Sequence, residues 1–428
     1  MSMEVSFIAT GDALMTRRVP EGGYPGLAKI CEIIAKHDVR FSNLEITTHD
    51  HEGYPAAFSG GTWAMADPGI LDDLRDRFYF NLFNTANNHS LDYEIAGLQA
   101  TIRHLKSRGL LYAGTGDNLG DAGAPVYVET ANARVAMIGV SATFFPSGAA
   151  GNQRIDMKGR PGLNPLRFSS TYHLDPMHYA NLKALVEAYP KPANNEPNDS
   201  EPADIIKFGG QTFVLGEENC LHTEPNKKDM ERILENIRDA RRQADYVLLS
   251  LHVHAMEKGE VSEPAEFVKT FSHACIDAGA QAVLGHGPHV LRPIEVYNGG
   301  VIFYSLGNFI FQPDTSSHQP ADAFESFSMS PYALVGDYMD TRAKDSSRSF
   351  FKNQEVWRAV MAGMTAKDGR IVQVQLYPIY LGMEMTRSRI GWPRLAEDNA
   401  VLEYQAELSA RYGTVTRIEN GIAYIDLI

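Results

Sequence analysis

Short apolar runs alternate with amphipathic stretches along the first two thirds of this chain. Residues 5–10, 39–44, 78–85, 110–114 and 134–141 are rich in β-branched and aromatic residues and predict strands. Between them, residues 25–36 put Leu27, Ile30, Ile33 and Ile34 on one helical face. Residues 93–108 do the same with Ile95, Leu98, Ile102 and Leu105. Asp67-Pro68 opens another helix, with Pro where the first turn tolerates it. Further on, residues 227–243 and 264–278 read as helices around the strand DYVLLSL at 245–251. Ala282-Val283-Leu284 is the next strand. The runs at 293–297 and 301–306 form a hairpin across Asn298-Gly299-Gly300, because Asn and Gly adopt positive φ at little cost. Strand and helix in alternation predict βαβ units and an α/β fold with a parallel sheet.

Two regions break the alternation. Residues 144–170 are rich in Gly, Pro, Asn and Arg and predict an ordered insertion loop. A helix over 176–189 follows, then a Pro/Asn/Asp/Glu-rich surface loop at 190–204, so the insertion spans about 144–205. The second region begins after Phe311, where residues 313–349 are polar and aperiodic. A hairpin around Lys367-Asp368-Gly369 joins runs at 357–364 and 371–381, a helix runs through Leu408, and residues 421–428 form a last strand. The expected division is a domain over 1–312 and a β-rich C-terminal extension over 313–428.

Composition narrows the class. The 428 residues are 44% hydrophobic and 21% charged, an ordinary globular balance. A net charge of −14 without long basic runs argues against nucleic-acid binding. Cys31, Cys220 and Cys275 are far apart and show no CxxC spacing, which argues against a cysteine zinc site or a disulfide framework. The N-terminus lacks the pattern of a signal peptide, and no run of about 18 apolar residues exists. The expectation is a cytoplasmic protein with no membrane partner.

The strand ends carry the chemistry. They bear Asp12, Glu45, Asn87-Asn88-His89, His252 with His254, and His286 with His289. A parallel sheet gathers such ends along one edge, where α/β proteins bind ligands. Asp, Glu, His and the Asn carbonyl suit Mn, Fe or Zn, and paired metals are a common device for phosphate-ester hydrolysis. The same residues also suit metal-free proton transfer at a substrate Cα, with an Asp and a His as acid and base.

These motifs resemble those of the CapA capsule-synthesis family, a branch of the calcineurin-like metallophosphoesterase superfamily. The carrying residues are Gly11-Asp12, Ser42-Asn43-Leu44-Glu45, Ala86 to Tyr93, His252, Gly285 to Val290 (GHGPHV) and Tyr304 to Phe309 (YSLGNF). The resemblance covers about the first 310 residues. It implies a four-layer α/β/β/α sandwich with insertion loops. It implies metal ligands at Asp12, Glu45, Asn88, His252, His286 and His289, with one or two divalent ions. Asp12, His89, His286 and His289 would do the catalysis, with His89 as the acid/base neighbour. Asn87, His254 and Asn308 would contact a small-molecule or peptide substrate.

Departures from the family pattern add alternatives. The superfamily usually opens with Asp-x-His, whereas Ala13-Leu14 follow Asp12 here. Glu45 stands where those enzymes have Asp, and Val253-His254 replace Trp-Gly, with Met256 in the place of a later acidic residue. Many CapA members are membrane-anchored. The leading expectation is a metal-supported hydrolase or transferase acting on a phosphate-ester or amide/polyglutamate-type substrate. Some relatives in ribosomal-peptide pathways look like cofactor-independent epimerases, which would here use Asp12 and His286 or His289 and no metal. A third reading is a non-catalytic subunit of a polymer-synthesis complex. Oligomeric state is not legible.

Overall fold

The computed structural model describes residues 4–189, 204–344 and 353–427. Residues 190–203 of the loop expected at 190–204, and residues 345–352, which include the end of the polar stretch expected at 313–349, lie outside the described residues. Two large sheets organise the chain. The strands of these two sheets are numbered here in chain order.

The first sheet starts with β1 (Glu4–Leu14), β2 (Val39–Leu44), β3 (Leu82–Asn84) and β4 (Leu111–Ala113), which pair in that order and in parallel. The second sheet holds β5 (Val126–Glu129), β6 (Arg134–Ser141), β7 (Tyr246–His252), β8 (Ala282–His286), β9 (Ile294–Tyr297) and β10 (Gly300–Phe303). Its spatial order is β9-β10-β8-β7-β6-β5, with β10, β8, β7 and β6 parallel and the two edge strands antiparallel. The predicted hairpin is present, and Asn298 and Gly299 take φ of 46° and 80°.

The chain then returns to the first sheet. β11 (Asn308–Phe311) pairs in parallel with the end of β1. β12 (Arg358–Lys367) pairs antiparallel with residues 4–9 of β1. β13 (Arg370–Tyr380) follows in a long hairpin, flanked by β14 (Arg394–Leu395), and β15 (Arg417–Glu419) and β16 (Ile422–Asp426) complete that edge. Strands from beyond residue 313 therefore extend the sheet that β1 begins.

Side-chain alternation sets the packing. Val5, Phe7 and Ala9 of β1, Phe41 of β2 and Leu82 of β3 share one buried cluster with Met137, Leu248, Leu284 and Phe303 of the other sheet. This cluster joins the two sheets. The opposite phase of the first sheet, including Ile8, Leu44 and Phe83, packs with Ile30, Ile34, Ile70 and Leu74 of the helices Leu27–Ala35 and Ile70–Asp76. On the second sheet, Ile138, Leu249 and Val283 pack with Ile233 and Ile237 of Lys227–Arg241 and Phe267 and Phe271 of Glu266–Asp277. A period of two along each strand thus divides the apolar residues between two faces.

The insertion expected at about 144–205 is more structured than its composition suggests, and its sheet continues to residue 225. Phe168–Leu174, Ile205–Phe208, Gln211–Leu215 and Cys220–Pro225 form a separate four-stranded sheet, with the helix Pro176–Ala188 beside it. Its strands are polar and half-exposed, so they lack the apolar run that marks a buried strand. Among the described residues, no helix is long and apolar enough to cross a membrane.

Candidate metal and acid–base site

The inter-sheet core turns polar at the carboxyl ends of its strands. Asn43 keeps the inward phase of Phe41, Asn84 that of Leu82, His252 that of Leu248, and His286 that of Leu284. Asp12 would break this pattern, because it lies an odd number of residues from Ala9. A bulge corrects the phase: Ala9 pairs with Phe41 and Asp12 with Asn43, so three steps on β1 match two on β2. Gly11 makes the bulge possible. A Cβ there would lie 1.8 Å from the Gly307 carbonyl oxygen, and the Asp12 amide donates to that same oxygen at 3.0 Å.

The result is a buried, interlocked set. Asn43 Nδ2 donates to Asp12 Oδ1 at 2.7 Å, and the Gly287 amide donates to Asp12 Oδ2 at 3.0 Å. Asn84 Nδ2 donates in turn to Asn43 Oδ1 at 2.8 Å. His252 lies 3.9 Å from Asp12 Oδ1 through Nδ1 and 3.8 Å from Glu45 Oε1 through Nε2. His289 lies 3.7 Å from Asp12 Oδ2 through Nδ1 and 3.8 Å from Glu45 Oε1 through Nε2. His254 Nε2 is 3.2 Å from His252 Nε2.

Two groups of donors result. Asp12, Glu45 and His252 offer ligand atoms within 4.8 Å of one another, and so do Glu45, His254 and His289. Glu45 is common to both. Its two carboxylate oxygens are buried and have no hydrogen-bond partner. An ionised carboxylate in that state is costly, and a bound cation would remove the cost. The donor set therefore fits one or two divalent ions.

The local turns hold the histidines in position. His289 has φ of 60°, a left-handed conformation uncommon outside glycine. Asn308 fixes it there: its Oδ1 lies 2.9 Å from His289 Nδ1, and its Nδ2 donates to the carbonyls of His289 and Val356. His89 Nδ1 donates to Asp92 Oδ2 at 2.6 Å, and Asp92 also accepts from the Ala64 amide. Asn87 Nδ2 donates to the Leu44 carbonyl, and its Oδ1 accepts from the His89 amide.

Burial dominates the electrostatics. It pushes the Asp12 carboxyl up to about 7, against the hydrogen bonds from Asn43 and Gly287 and the charge of His89. Burial, then Asp12 and Asp92, hold Glu45 well above the usual carboxylate range. Burial and the neighbouring imidazoles hold His252 and His254 well below the usual range of histidine. Burial lowers His289 to about 4, opposed by its contact with Asn308. All three imidazoles are thus neutral, the form that binds metal.

The residues expected from the sequence fall into four sets. Asp12, Glu45, His252, His254 and His289 converge. His286, the cross-strand neighbour of His252, is in neither donor group: its ring packs on Phe41 at 5.4 Å, neither ring nitrogen has a partner, and burial lowers it to about 3. Asn87 and Asn308, expected at the substrate, use their amides to hold Leu44, His89 and His289. Asn88 keeps its Oδ1 buried and without a partner. Sequence reasoning gave no role to Asn43 and Asp92, which stand in the quoted motifs, and did not reach Asn84. A polar residue two places after an inward apolar residue, as in Phe41-x-Asn43 and Leu82-x-Asn84, is the signal that finds the two asparagines.

Two packed sheets with carboxylates, amides and imidazoles at their shared carboxyl ends define the class, and comparison with known proteins gives the family. Residues 6–313 match the family described as bacterial capsule synthesis protein PGA_cap, and the chain belongs to it. It is 31% identical over 436 residues to uncharacterized protein y4sH of Sinorhizobium fredii (strain NBRC 101917 / NGR234), covering 99% of this chain and 93% of that protein. PGA biosynthesis protein CapA of Bacillus subtilis (strain 168) is 27% identical over 243 residues, 56% of this chain and 44% of that one. Capsule biosynthesis protein CapA of Bacillus anthracis is 28% identical over 234 residues, 54% of this chain and 40% of that one. The family match ends at residue 313, whereas the rhizobial protein has a counterpart for the C-terminal third as well.

Proposed function

We propose that this protein is a metal-supported hydrolase or transferase, built as a calcineurin-like four-layer α/β/β/α sandwich, that cleaves or forms a phosphate-ester or amide bond. The observation that carries the reading is the buried Glu45 carboxylate, unpartnered and shared by two donor groups. The names of the Bacillus relatives support an amide or polymer-precursor substrate.

Asp12, Glu45 and His252 would hold one ion, and Glu45, His254 and His289 a second. Such ions supply Lewis acidity and an activated water. The chain's own residues do the rest. Asn43 and the Gly287 amide fix both oxygens of Asp12, so its carboxylate cannot rotate away. Asn308 fixes His289 in the same manner. Asp92 engages His89 Nδ1 and leaves Nε2 as the atom that gives a proton to the leaving group. Burial of the whole set excludes bulk water and strengthens each interaction.

The test is the metal content of protein purified without chelator, read by elemental mass spectrometry. About one or two equivalents of Mn, Fe or Zn are expected, with a marked loss in Glu45→Gln. No metal, even after incubation with excess Mn or Zn, overturns the reading. A second reading has its own support. Asp12 pushed up to about 7, with His289 Nδ1 at 3.7 Å, is an acid–base pair suited to proton exchange at a peptide Cα without metal. It expects deuterium incorporation at Cα in heavy water with chelator present, abolished in Asp12→Asn.

A further inference from the structure

A cleft of about 260 Å³ opens beside this site. The turn at 87–92 forms one side, and the segments at 56–58 and 144–148 form the others. Asn87, which lines it, is bonded to the residue preceding Glu45, and Asp92, which also lines it, is bonded to His89. These two bonds tie the wall of the cleft to the segments that carry Glu45 and His89.

Its lining is apolar and exposed. Phe58 and Phe145 are 71% and 42% exposed, with ring centroids 5.8 Å apart. Leu91 and Leu163 add to the apolar surface. Among the described lining residues none is Lys or Arg, and the charged ones are Asp92 and Glu94. Asn88 is 8% exposed, and its Oδ1 has no partner. Its Nδ2 faces the Gly60 carbonyl at 3.5 Å, and a Cβ on Gly60 would lie 2.2 Å from that nitrogen. The glycine therefore lets the neighbouring segment close on Asn88.

We propose that this cleft takes a large apolar side chain, aromatic or branched aliphatic, of a peptide-like substrate. The proposal rests on the preceding reading only for where the reacting bond lies. Three observations select this occupant. The volume holds one large side chain and is below the size of drug-like ligand pockets. A polyglutamate carboxylate would meet Glu94 with no counter-charge, and a phosphate group would find no cation. Two exposed phenylalanines flanking a cleft leave apolar surface in water that a side chain of this kind would cover.

The experiment uses the full chain in chelator and ligand-observed NMR with three probes: N-acetyl-phenylalanine amide, N-acetyl-leucine amide and N-acetyl-glutamate amide. The two apolar amides are expected to bind in the millimolar range, and the glutamate amide about tenfold more weakly. Phe58→Ala and Phe145→Ala should each weaken the phenylalanine amide by about tenfold with unchanged Tm, since both rings are exposed. Equal or tighter binding of the glutamate amide overturns the proposal. So does binding of the apolar amides that both variants leave unchanged, or no binding of any probe. Because chelator is present, absence of metal would overturn the hydrolase reading and leave this result standing.

Discussion

His286→Phe gives a quantitative test of the inter-sheet polar layer. The imidazole is fully buried against Phe41, neither nitrogen has a partner, and burial lowers it from 6.5 to about 3. The unfolded chain binds a proton on this residue below about pH 6.5, and the folded chain does not. Folding stability supplied by the neutral form is therefore full above pH 6.5 and falls as pH falls toward 3. The slope for one proton is about 1.4 kcal/mol per pH unit, so the wild-type chain loses about 2 kcal/mol through this residue between pH 7.5 and pH 5. Phenylalanine has no such term. Urea unfolding of metal-free wild type and His286→Phe at pH 7.5, 6.5 and 5, followed by far-UV circular dichroism, should show the variant gaining about 2 kcal/mol relative to wild type at the acid end. At pH 7.5 the variant is also relieved of two unpartnered ring nitrogens, so it should be no less stable than wild type. Parallel pH profiles for the two proteins would refute the reasoning and require a hydrogen-bonded or charged His286.

Other outcomes follow from the bulge and the amide relay. Gly11→Ala puts a Cβ 1.8 Å from a backbone oxygen that no rotamer change can move, so a loss of more than about 3 kcal/mol in urea unfolding is expected; a cost below about 1 kcal/mol would mean the two strand ends are not packed this closely. Asn43→Ala removes a donor to Asp12 and an acceptor of Asn84, and should cost about 2–4 kcal/mol while weakening metal binding, read by calorimetric Mn titration.

Much of this site was legible because its residues sit at strand ends, where the apolar run stops at a residue with chemistry. Glu45 and His252 follow such runs directly, and Asp12 and His289 lie within a few residues of one. The bulge was not legible: Gly11 reads as a turn residue until the Gly307 carbonyl, almost 300 positions away, is seen to occupy its Cβ position. The insertion sheet was hidden for another reason, since strands such as Cys220–Pro225 are half-exposed on both faces and carry no period-two signal. The roles of Asn87 and Asn308 also depend on tertiary contacts. Their amides bond to the Leu44 carbonyl, the His89 amide, the His289 ring and carbonyl and the Val356 carbonyl, which makes them supports for the donor residues.

The same reasoning explains the departures from the family pattern. Leu14 stands where relatives in the wider superfamily carry a histidine, and it is buried in the apolar cluster on the helix side of the first sheet. No donor can act from there. His254, by contrast, follows His252 by two residues and reaches Glu45 and His289, so the His-Val-His sequence supplies a donor to each of the two groups. The two donor groups then depend on different histidines, His252 for one and His254 for the other, with Glu45 in both. His254→Ala should therefore lower the bound metal from about two equivalents to about one, whereas Glu45→Gln should remove both. Elemental analysis of the two variants side by side decides it. Full metal retention in His254→Ala would mean that this histidine supports the loop only and that the second group of donors is not a metal site.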